Sequence, residues 1–67
     1  MKPPKSLKFS VGDTIQNIHT GDEETITDVE GITYAGEIIW VYTRTAIGGK
    51  TARFNTDYEK HWRLVDE

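Results

Sequence analysis

Apolar and β-branched positions recur along this chain with a period near two, in short runs separated by glycine-bearing turns. Phe9-Ser10-Val11 places two apolar residues on one side of an extended segment, and Gly12-Asp13 reads as a turn. Thr14 to Ile18 is the first strand; Ile15 and Ile18 lie three apart, so strict alternation fails and a bend or bulge is expected there. His19-Thr20-Gly21-Asp22 closes it as a turn. Glu24 to Val29 is the second strand, ended by Glu30-Gly31. The clearest element is Tyr34 to Thr43, long, aromatic and β-branched. On it Tyr34, Gly36, Ile38, Trp40 and Tyr42 share one parity, and Ala35, Glu37, Ile39, Val41 and Thr43 the other. A helical turn through Ile38 to Tyr42 is disfavoured by four bulky β-formers in a row.

Gly48-Gly49 suits the positive φ of a hairpin turn, and Thr51 to Phe54 follows as a short strand. Asn55-Thr56-Asp57 has the character of a helix cap opening one short turn through Tyr58 to His61, and Trp62 to Val65 is the closing strand. The sequence therefore predicts an all-β domain of five strands with one short helical turn before the last, the pattern of a small barrel. Residues 1–8, with Pro3-Pro4 among lysines, read as a loose lead-in, and residues 9–67 as the domain.

At 67 residues there is room for one core, and a domain this short buries only about 60% of the surface of its unfolded chain. Cys is absent, which removes disulfide staples, thiolate nucleophiles and thiolate metal sites, and agrees with a reducing cytoplasm. Small domains without staples often gain stability from a second subunit. The N-terminal lysines precede no apolar run, so the sequence carries no sign of a secretory signal or membrane span.

Eight basic residues against eleven acidic ones give a formal net charge of -3. The acidic run begins at Asp22-Glu23-Glu24 and continues through Asp28, Glu30 and Glu37, while the later cations are Arg44, Lys50, Arg53, Lys60 and Arg63. No cationic run is dense enough to neutralise many phosphates. His19 and His61 are the only imidazoles and lack zinc-like spacing; His19 reads as a loop residue and His61 as a packed or capping one. Neither Ser6 nor Ser10 has a nearby histidine, and the clustered carboxylates point in different directions, so the sequence points away from an enzyme and calls for no cofactor or metal.

The order Phe9-Ser10-Val11-Gly12-Asp13-Thr14-Ile15, then Thr20 through Val29, then Trp62-x-Leu64-Val65, resembles SH3-like small β-barrel proteins of phage and mobile elements of firmicutes. That resemblance implies a five-stranded SH3-like barrel. Members of its ribosomal and transcription-factor branch carry a Gly-x-x-Gly-x-Val phrase, where this chain has Glu24-Thr25-Ile26. The stretch from Tyr34 to Tyr42 also has a weak likeness to plasmid-borne SH3-like dihydrofolate reductases, although their pore-lining Val-Gln-Ile-Tyr segment has no counterpart here.

Two binding functions follow. In the first, a non-catalytic module docks another protein, a second copy of itself included, through the aromatic strand face of Tyr34, Trp40 and Tyr42 and the acidic turn of Asp22, Glu23 and Glu24. In the second, Arg44, Lys50, Arg53 and Arg63 gather beside the aromatics as a platform for single-stranded nucleic acid. Phe54 and Trp62 are expected in the core.

Overall fold

The computed structural model describes residues 4–65. Five strands, β1 (Thr14–Asn17), β2 (Glu23–Tyr34), β3 (Glu37–Ala46), β4 (Thr51–Asn55) and β5 (Trp62–Leu64), form one sheet in the order β4-β3-β2-β1-β5, with antiparallel neighbours throughout. A 3-10 turn, Thr56–His61, joins β4 to β5. Asn55 caps it, its side-chain carbonyl accepting the Asp57 N–H at 3.0 Å, as the run of small polar residues predicts.

The sheet is open. β4 and β5 are its two edges and share no ladder, so the SH3-like barrel implied by the sequence resemblance is not formed. The likeness to phage and mobile-element barrels, and with it the reductase likeness, falls on the same observation. Closure would need backbone pairing between β4 and β5. Instead the 3-10 turn carries the chain from one edge to the other, and the edges meet only through side chains: Phe54 of β4 stacks on Trp62 of β5 with ring centroids 5.7 Å apart and planes at 20°.

Phe9, Ile15, Ile26, Tyr42, Phe54 and Trp62 make the core on the inner face of the sheet, and Leu7 and Val29 pack against it. The Phe9 ring meets Tyr42 edge-on at 5.5 Å, and Tyr42 stacks on Phe54 at 5.0 Å. The segment before β1 is held at Lys8, whose N–H donates to Glu59 Oε2 at 3.2 Å and whose Nζ donates to the Trp62 carbonyl at 3.2 Å. Leu7 and Lys8 of the expected lead-in are thus tied to the fold, while residues 1–3 of it and residues 66–67 of the domain lie outside the described residues.

Two local devices were placed differently by the sequence. The irregularity expected in β1 lies in β2: the register with β3 shifts between Ile26 and Asp28, which leaves Thr27 as the extra residue. The shift brings both Ile26 and Val29 to the inner face, opposite Arg44 and Tyr42. β1 itself stops at Asn17, and Ile18 leaves with the following turn, 52% exposed. The second difference is the β2–β3 hairpin. β2 does not end at Glu30-Gly31 but runs to Tyr34, and the turn is Ala35-Gly36, with φ of 52° and 80°. Two positive φ values in a two-residue loop are the mark of a type I′ turn.

Candidate functional site

β2 and β3 outrun the rest of the sheet. β1 pairs with β2 only as far as Thr25, and β4 reaches along β3 only as far as Val41. Beyond these points residues 29–41 project as a two-stranded ribbon, which accounts for the long 35 Å axis against 22 and 20 Å in the other directions.

The ladder assigns the ribbon's faces, because residues directly opposite each other share a face. Val29 with Tyr42, Gly31 with Trp40 and Thr33 with Ile38 form the inner face; Glu30 with Val41, Ile32 with Ile39 and Tyr34 with Glu37 form the outer one. Tyr34 therefore belongs to β2 and lies on the opposite face from Trp40 and Tyr42. The three aromatics do not make one surface. Tyr42 is wholly buried, Trp40 is half-buried and Tyr34 is 69% exposed. Both faces of the ribbon are nevertheless apolar: Ile38 is 47% exposed on the inner face, and Ile32 39% beside Tyr34 on the outer.

The inner face continues toward the N-terminal segment. A cavity of about 510 Å³ lies among Leu7, Phe9, Val11 and Val29, and a smaller one of about 270 Å³ among Val29, Gly31, Thr33 and Ile38, so Val29 joins the two into one run. Val11 is exposed at its margin.

Tyr42 holds this side of the molecule together. Its hydroxyl donates to Glu59 Oε2 on the 3-10 turn and accepts the Phe9 N–H at 3.4 Å. Burial, with the Glu59 carboxylate beside it, pushes the phenol well above the ordinary tyrosine range.

The acidic turn is divided among separate tasks. Asp22 accepts from the Thr20 hydroxyl at 3.1 Å, and Glu24 lies 3.3 Å from Arg44 Nε; Glu23 is exposed. The cations are likewise dispersed. Arg44 sits on the inner face over the rings of Trp62, at 4.8 Å, and Phe54, at 5.6 Å. Arg53, opposite Thr43 on the outer face, pairs with Glu30. Arg63 Nε donates to Gln16 Oε1 at 2.7 Å, and Lys50 lies in the β3–β4 turn. Of the four, Arg44 and Arg53 line one cavity with His19 and His61, and Lys50 and Arg63 do not line it.

One grouping had no signal in the sequence. His19, in the turn after β1, and His61, at the end of the 3-10 turn, are hydrogen-bonded through Nε2 and Nδ1 at 2.9 Å, 42 positions apart in the chain. They line a cavity of about 450 Å³ together with Asn17, Tyr58, Trp62 and Arg44. Only the antiparallel pairing of β1 with β5 brings their turns together.

Comparison of the chain with protein-family models, with curated proteins and with solved structures finds no match. No helix among the described residues is long and apolar enough to cross a membrane.

Proposed function

We propose that this chain is a cytoplasmic, non-catalytic interaction module that docks another protein along the β2–β3 ribbon. The observation that carries the proposal is the exposure of apolar side chains on both faces of one projecting element: Ile38 beside Trp40 on one, Ile32 and Tyr34 on the other. Side chains of this kind bury much area at little rotamer cost, and a Trp in such a patch is a favoured anchor. A patch of standard size, about 800 Å² per partner, would take up roughly a sixth of the chain's 4913 Å² surface.

The ribbon also offers main-chain groups. Beyond Ile26, whose N–H and carbonyl bond to Asp13 and Gly12, β2 has a ladder partner among the described residues only in β3, and β3 before Val41 has one only in β2. A partner segment can therefore add as a strand along either margin while its side chains meet the apolar faces. Tyr42 has no part in such contact, because it is buried under Phe9.

The salt response of the complex tests the reading. A protein complex anchored on Trp40, Ile38 and Tyr34 weakens little with added salt, and Trp40→Ala removes about 2 kcal/mol or more of its binding energy. A steep fall with salt, unaffected by Trp40→Ala, is the behaviour of a nucleic-acid complex and contradicts the reading.

A further inference from the structure

The His19–His61 pair is held from both sides. Asn17 Oδ1 accepts the N–H groups of His19, at 2.8 Å, and Thr20, at 3.1 Å. The Ile18 N–H donates to the His61 carbonyl at 3.0 Å, which fixes the backbones of the two turns to each other. An N–H···N bond between imidazoles needs one ring nitrogen to donate and the other to offer its lone pair, so the alternative tautomer of the donor ring places two lone-pair nitrogens side by side.

Their separation has a geometric consequence. A divalent transition metal sits about 2.0–2.1 Å from an imidazole nitrogen. With the nitrogens 2.9 Å apart, an ion at that distance from both is subtended at about 90°, the angle of two cis positions in an octahedral or square-planar site rather than a tetrahedral one. The rings are tilted at 50° with centroids 5.1 Å apart, so they meet nearly end-on, and each must turn by roughly 45° off the N···N line to aim at a shared ion; the pair is open to solvent, which leaves room for that turn.

The charges around the cavity permit a cation. Arg44 and Arg53 line it, but each has a carboxylate beside it, Glu24 and Glu30 respectively. Tyr58 lies beside the pair, its ring centroid 6.0 Å from that of His61. No group of three His, Asp or Glu suited to a metal occurs among the described residues, so an ion held here would need water for its remaining positions.

We propose that His19 and His61 form a two-histidine site for a divalent transition metal of octahedral or square-planar preference, such as Ni²⁺ or Cu²⁺. The ion would staple the β1–β2 turn to the 3-10 turn in a domain that has no cysteine. The site is independent of the ribbon.

The test titrates Ni²⁺ into the untagged full chain at mildly alkaline pH, following stoichiometry, melting temperature and NMR line widths. The expected result is one ion per chain, a higher melting temperature, and paramagnetic broadening centred on residues 17–22 and 58–63. His19→Ala and His61→Ala each abolish all three. Because His19 lies in an exposed turn, its variant decides the matter if His61→Ala does not fold. Absence of stoichiometric binding, broadening centred elsewhere, or binding unchanged in His19→Ala overturns the proposal.

Discussion

Trp40 lies against Gly31 across the β2–β3 ladder so closely that a methyl group at position 31 would stand 3.2 Å from Trp40 Cη2 and 3.1 Å from Ile38 Cγ2. Glycine here makes room for two side chains of the proposed docking face; its φ is not positive, and the backbone would accept another residue. Gly31→Ala is expected to push both side chains outward by a few tenths of an ångström. The fold's stability should change by no more than about 1 kcal/mol, because strand propensity gained at the backbone offsets the crowding. Partner affinity should fall while urea unfolding stays nearly the same, and a shift in Trp emission would report the displaced ring.

Ala35 occupies a left-handed conformation that costs a residue with a Cβ about 1–2 kcal/mol. Asn-Gly is the favoured pair for a type I′ turn. Ala35→Asn is therefore expected to stabilise the chain by about 0.5–1 kcal/mol, read as a higher urea midpoint with an unchanged slope. A loss of stability would contradict the turn assignment.

That turn also shows where sequence reasoning stopped. Ala-Gly is a poor hairpin signal, so local pattern joins Tyr34 to the strand that follows it and assigns its face by the parity of one continuous strand. The chain reverses between Tyr34 and Glu37, and the reversal carries Tyr34 to the other face. Gly31, read as the end of a strand, is a packing glycine within one. The strand at Thr51, the Asn55 cap and the burial of Phe54 and Trp62 were legible, because each follows from local pattern or side-chain size. Whether the sheet closes was not. Closure depends on the gap between β4 and β5, which local pattern does not encode. The His19–His61 contact has no local signature for the same reason, since the two rings are 42 positions apart and meet through the pairing of β1 with β5.

The Tyr42 phenol gives the fold an alkaline limit. Its folded-state pKa is raised by burial first and by Glu59 second. The unfolded phenol, at about 10, loses its proton before the folded one does. The stabilisation is complete below that pH and is lost as pH rises through it toward the folded value. Unfolding midpoints measured on the alkaline side should fall from about pH 10 upward, and Tyr42→Phe should flatten that decline while lowering stability at neutral pH through loss of its two hydrogen bonds.

Arg44 presents a contrast between two ways of breaking one ion pair. Its Nε and Nη1 are buried without a hydrogen-bond partner, and its side chain is 21% exposed, so the Glu24 carboxylate, 3.3 Å away but out of line for a hydrogen bond, is its compensation. Glu24→Ala leaves the guanidinium uncompensated and should cost about 1–3 kcal/mol. Arg44→Met removes the charge and keeps apolar packing over Trp62, and should cost less. Denaturant unfolding of the two variants checks the order; the reverse order would mean that stacking of the cation outweighs its charge balance.

The ribbon's role is tested most directly by photo-crosslinking from position 34, at its tip, and from position 47, in the β3–β4 turn, where Ile47 is 95% exposed. The docking account predicts that position 34 captures one defined protein, that the capture survives high salt and is lost with Trp40→Ala, and that position 47 does not capture it. Equal capture from both positions, or nucleic acid as the only crosslinked species at position 34, would contradict it.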